Sequence, residues 1–84
     1  MIKYVYSLLD TKAKVYSNPF YQLSDVLALR DLSRAVNHSD SELFHNPEDF
    51  LLYCLGQFDD EMGNLICGVP VLVINAAELK KPQE

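Results

Sequence analysis

Eighty-four residues with a net charge of −5 and 49% hydrophobic side chains describe one small domain, too apolar for a disordered segment. The acidity excludes a bulk basic coat that would grip phosphate backbones regardless of sequence. Two cysteines exclude a disulfide framework, and no run approaches the ~20 apolar residues that span a bilayer.

Ile2 to Leu9 reads as the first strand. Ile2, Tyr4, Tyr6 and Leu8 alternate with Lys3, Val5, Ser7 and Leu9, and the larger set is expected to face the core. Met1-Ile2-Lys3-Tyr4 has no long apolar run, so no signal peptide and a cytoplasmic location are expected. Asp10 to Gln22 reads as a long connection. Pro19 bars a helix just before it, while Phe20 and Tyr21 are placed to pin the loop to the body. Lys12, Lys14, Tyr16, Phe20 and Tyr21 mix cations with aromatics, the composition of a single-strand binding surface; the plainer reading is a surface loop anchored by two rings.

Ser24 to Asn37 is the one clear helix. Ser24 suits an N-cap, Asp25 the first turn and Asn37 the stop. Ala28, Leu29, Leu32, Ala35 and Val36 share one face, which is expected to pack on a sheet. Leu27, Arg30, Asp31 and Arg34 lie opposite. Arg30 and Arg34, one turn apart, could hold a phosphate or an acidic partner, or simply form a solvated face. His38 to His45 is polar with Leu43 and Phe44 as anchors and Ser41 as a cap. Neither histidine sits in a metal-ligand or catalytic spacing, and surface or capping roles are expected.

Asn46-Pro47 opens a single turn, with Pro at the first helical position. Phe50 to Phe58 then reads as a strand, with Leu52, Cys54, Gly56 and Phe58 on one face and Leu51, Tyr53, Leu55 and Gln57 on the other. Both faces are largely apolar, which places the strand centrally, with a helix over one side and a loop or a second subunit over the other. Gly56 implies a ring or backbone lying close to it. Asp59 to Gly63 reads as a hairpin turn; its three carboxylates lack a calcium-loop spacing and read as solvated, with no metal expected. Leu65 to Gly68 leads out of the hairpin, Pro70 interrupts, and Val71 to Asn75 forms a further strand. Cys54 and Cys67, nearly equidistant from the turn, are expected to be a buried reduced pair. Asn75 with Glu78 reads as a capping box over one short turn to Leu79, before a flexible tail over 80–84.

Several of these segments together resemble a known family. They are the Tyr-Val-Tyr-Ser strand, Asp10-Thr-Lys-Ala13, Asn-Pro19-Phe20, Ala28-Leu-Arg30, Ala35-Val36-Asn37, and the run from Asn46-Pro-Glu-Asp-Phe50 through Phe58-Asp-Asp60 to Gly63. From about residue 2 to residue 79 the chain resembles the small non-structural protein of the gokushovirus branch of the Microviridae, single-stranded DNA phages. Cys54 and Met62 depart from the family pattern. The resemblance implies a protein of the infected bacterium, absent from the mature virion, that helps turn genome replication towards single-strand synthesis and packaging.

The fold expected is α+β: one amphipathic helix on a small, mostly antiparallel sheet of three to four strands, in a single domain over 1–79. A homodimer is expected, because a chain this short buries only about 60–65% of its unfolded surface and leaves strand edges free. The expected function is a non-enzymatic, cofactor-free accessory contacting phage single-stranded DNA, the replication initiator or both, through Lys12, Lys14, Arg30 and Arg34, with Tyr16, Phe20 and Tyr21 stacking on bases if DNA is held directly. The alternative is an assembly or host-interaction protein with no nucleic-acid contact.

Overall fold

The computed structural model of the chain describes residues 1–82. Its organising strand is β1 (Ile2–Asp10), which has partners along both edges. On one edge it pairs antiparallel with β4 (Phe50–Asp59) over its full length, from Ile2↔Asp59 to Asp10↔Phe50. The other edge is shared by two short strands: β2 (Val15–Tyr16) against Leu9 and Asp10, and β3 (Phe20–Gln22) against Tyr4 to Tyr6. β5 (Asn64–Asn75) closes the sheet on the far side of β4 and leaves its outer edge unpaired. The stretch 10–22 is therefore two ordered strands rather than a long loop. Ser17 makes this possible. Its backbone N–H donates to Leu8 O at 2.8 Å, its hydroxyl accepts from Leu8 N, and its carbonyl accepts from the hydroxyl of fully buried Ser7. One serine thus satisfies the backbone where β2 ends and β3 has not begun.

Both hairpin turns have the same construction. In the first, the Asp10 carboxylate accepts from Lys12 N and Ala13 N, and Lys14 N donates to Asp10 O at 2.8 Å, with Lys14 at φ +60°. In the second, the Asp59 carboxylate accepts from Glu61 N and Met62 N, and Gly63 N donates to Asp59 O at 2.8 Å, with Gly63 at φ +71°. Each needs a left-handed residue at its close, which glycine adopts without cost and lysine does not. Asp60 beside the second turn is paired with the amino-terminal ammonium at 2.7 Å and with Lys3, which hold its carboxyl below the usual carboxylate range.

β5 is one continuous 12-residue strand where two were expected. The register explains the difference. Cys54 pairs with Val71 and Gly56 with Cys67, so Gly68, Val69 and Pro70 bulge out opposite Leu55 and the ladder resumes beyond them. Pro70 is tolerated because β5 is an edge. Gly56 sits at φ +156°, and a Cβ there would lie 2.2 Å from Ile66 O. The close neighbour is backbone, one of the two alternatives its position implied.

The helix α1 (Asp25–Val36) has Ser24 as N-cap, accepting from Leu27 N, and Asn37 as C-cap. Ala28, Leu32 and Val36 are buried against Tyr6, Leu52 and Ala76; Tyr4, Leu8, Phe50 and Cys54 pack around them. The Tyr6 hydroxyl donates to Asp25, which ties the sheet to the first turn of the helix, and burial followed by that bond raises the phenol well above its ordinary value. A short helix α2 (Glu42–His45), capped by Ser41, leads through a 3-10 turn at Pro47–Asp49 into β4. The last turn, Ala76–Leu79, opens with the expected Asn75–Glu78 capping box. The architecture is α+β, a main helix on an antiparallel sheet.

Candidate functional site

The helix covers only one face of the sheet. Side chains alternate along a strand, so Lys3, Val5, Ser7 and Leu9 of β1 point away from α1, and their direct partners share that face. Those partners are Leu51, Gly56 and four aromatic residues, Tyr16, Tyr21, Tyr53 and Phe58. The rings meet in two pairs: Tyr16 edge-on to Tyr53 at 5.7 Å, and Tyr21 tilted on Phe58 at 5.8 Å. Tyr53 lies opposite Ser7 and Phe58 opposite Lys3, so the pairs sit about 13 Å apart along β1 at ~3.3 Å per residue. Tyr16 and Tyr21 are 43% and 44% exposed, a large apolar area for a protein this small to leave in water. Leu65 and Leu72 of β5, opposite Phe58 and Tyr53, extend the same surface to the free edge.

Cations stand at both ends of this row. Lys12 and Lys14 occupy the exposed turn next to Tyr16, and Lys3 stands beside Phe58. Lys14 holds a left-handed backbone that costs a non-glycine residue about 1–2 kcal/mol. The turn at Asp10 imposes that conformation, and it sets the exposed Lys14 next to the exposed Tyr16.

Of the residues singled out in the sequence, Lys12, Lys14, Tyr16 and Tyr21 thus lie on or beside one surface. Phe20 does not. It turns inward, stacks on Tyr6 at 5.6 Å and packs against the core. The reason is alternation: Tyr21 opposite Val5 takes the bare face, so Phe20 opposite Tyr6 must take the helix face. Arg30 and Arg34 are exposed on α1, across the sheet from the tyrosines, and cannot act on one short ligand together with them. Tyr53, Phe58 and Lys3 were not anticipated. A strict alternation from Leu52 puts Phe58 on the helix side, but the irregularity at Leu55 shifts the phase by one residue and carries Phe58 to the other face.

The cysteines are not the buried pair expected. Cys54 is half-buried on the helix side and its thiol points at Gly56 O, whereas Cys67 is exposed opposite Gly56. The bulge at 68–70 again breaks the symmetry about the turn. Asp59 is occupied by its own turn amides, and among the described residues no group of three or more potential ligands could hold a metal ion. No helix of the described residues is long and apolar enough to cross a membrane. Lys80 and Lys81, the start of the expected tail, are both hydrogen-bonded to the body; residues 83 and 84 lie outside the described residues.

No curated protein and no solved structure matches the chain. The sequence model of the family described as Phage ORF5 protein matches residues 3–79, which takes in every strand and helix described above save Ile2 at the start of β1, and the chain belongs to that family of phage proteins.

Proposed function

We propose that this phage protein is the small non-structural protein of a gokushovirus-type single-stranded DNA phage, and that it binds single-stranded DNA on the bare face of its sheet. The observation that carries this reading is the row of Tyr16/Tyr53 and Tyr21/Phe58 between Lys12–Lys14 and Lys3. Aromatic faces take bases without regard to sequence, at about 1–3 kcal/mol per base, while a few cations guide the backbone. Such a site needs no basic coat, which reconciles DNA binding with a net charge of −5. The role is that of a non-enzymatic accessory in the infected bacterium, acting where replication turns to single-strand synthesis and packaging, with the replication initiator as its protein partner. A second copy of the chain is proposed at the β5 edge, whose residues 64–77 carry no charge. Antiparallel pairing of two such edges brings the Asp59–Glu61 turn of one copy towards Lys80 and Lys81 of the other.

Fluorescence anisotropy of a labelled single-stranded oligonucleotide tests the reading. Saturable binding is expected. Three lysines predict a shallow salt dependence, a log–log slope of about −2. The double variant Tyr16→Ala/Tyr53→Ala should abolish binding while keeping the circular dichroism of the parent. Absence of binding at low salt overturns the reading and leaves a protein-only assembly or host-interaction role.

A further inference from the structure

The other side of the molecule carries a second feature that the DNA surface does not use. Beyond the C-terminal end of α1 lies an open cavity of about 660 Å³, lined by Ser33, Arg34, His38, Ser39 and Lys81, with Asn37 and Phe44 as its walls. No acidic side chain lines it, in a chain with twelve carboxylates and seven lysines and arginines. Among the described residues neither Arg34 nor Lys81 pairs with a carboxylate.

The walls are fixed rather than loose. Asn37 donates to Ser33 O at 2.8 Å and to Leu79 O at 2.9 Å, and its Oδ1 accepts from Lys81 N at 2.8 Å, which brings Lys81 to the end of the helix. Lys80 clamps the same segment from the other side: its Nζ donates to Phe44 O at 2.7 Å and lies 3.4 Å over the Phe44 ring. Both histidines of the chain serve this region. His45 Nε2 donates to Ser39 O at 2.9 Å. His38 Nδ1 accepts from Asp40 N, which leaves the neutral ring its proton on Nε2 as a further donor. The helix end brings about half a negative charge, against a full positive charge on each of Arg34 and Lys81.

We propose that this cavity binds a phosphate monoester. Its lining gathers an arginine, a lysine, a histidine and two serines, a set of cations and neutral donors that suits three or four oxygens on a tetrahedral centre better than the two of a flat carboxylate. The volume falls within the ~300–1,000 Å³ usual for small ligands, so a mononucleotide fits as well as a free phosphate.

Amide NMR shifts followed during titration with inorganic phosphate, thymidine 5′-monophosphate, thymidine and acetate test this. Saturating shifts confined to residues 33–39, 44 and 81 are expected with the first two and none with thymidine. Arg34→Ala and Lys81→Ala should each weaken phosphate roughly tenfold or more, and Arg34→Lys should restore part of the loss. Both substituted residues are at the surface, so a preserved spectrum elsewhere shows that the fold is intact. Oligonucleotide binding by these variants should be unchanged, which separates this site from the aromatic face. Failure of phosphate to saturate, shifts that survive the Arg34→Ala/Lys81→Ala double variant, or acetate binding as tightly as phosphate would each overturn the proposal.

Discussion

Leu52 and Tyr53 are neighbours in β4 and point to opposite sides of one sheet. On the Leu52 side lie α1, the turn at Ala76 and a core in which Tyr6, Val36 and Leu52 have no exposure at all. On the Tyr53 side lie paired rings, exposed leucines and flanking lysines. The same strands serve both. The difference teaches a division of labour: one face is closed by the helix into the main core, and the other buries Val5 and Ser7 while leaving Tyr16 and Tyr21 well exposed.

The sharpest way to break the comparison is to truncate each neighbour in turn. Leu52→Ala should cost about 3–5 kcal/mol in chemical denaturation, since a fully buried leucine leaves a cavity. Tyr53→Ala, only half-buried, should cost about 1 kcal/mol and show its main effect in oligonucleotide affinity. Equal stability losses would mean that the second face is core after all. Gly56→Ala should come close to the Leu52 effect, about 3 kcal/mol, because its Cβ meets backbone of β5 and residues with a side chain rarely adopt its φ. Hydrogen exchange should then show the β4–β5 ladder opening beyond Gly56.

Tyr6→Phe probes the tie between the covered face and the helix. Loss of its hydroxyl bond should cost about 1–2 kcal/mol near neutral pH, because Asp25 loses its donor. The phenol titrates higher in the folded than in the unfolded chain, so its contribution is complete below about pH 10 and is lost as pH rises further. Unfolding free energy should therefore fall above pH 10 in the parent and fall less steeply in Tyr6→Phe. The smallest effect has the opposite sign. Lys14→Gly relieves a left-handed lysine and should raise stability by about 1 kcal/mol while weakening oligonucleotide binding, as measured by melting and anisotropy together.

Local rules made much of this legible in the sequence. Ser24, Asn37, Ser41, Pro47 and the Asn75–Glu78 box mark where helices and turns begin or end, because a cap depends on residues a few positions away. The faces of α1 follow in the same way from its 3.6-residue period. Irregularities in register were not legible. The irregularity at Leu55 moved Phe58 to the other face, and the bulge at 68–70 separated Cys54 from Cys67 and joined two expected strands into one. Nor was the split of the candidate site. Placing Arg34 and Tyr16 on opposite faces needs the pairing of β2 and β3 with β1, and Ser17, on which that pairing depends, looks like any other loop serine.

The twin turns at Asp10 and Asp59 have a consequence for the order of folding. Each closes a hairpin between near neighbours, an event of about 1–10 μs. The β1–β4 ladder is different, since it joins residues between 40 and 57 positions apart. Two prefabricated hairpins must therefore find each other across the segment that carries the helix, and closure of that long loop sets the pace. The helix reaches its bed only when both halves are present, so the bare face is assembled in the same step as the core that it does not share.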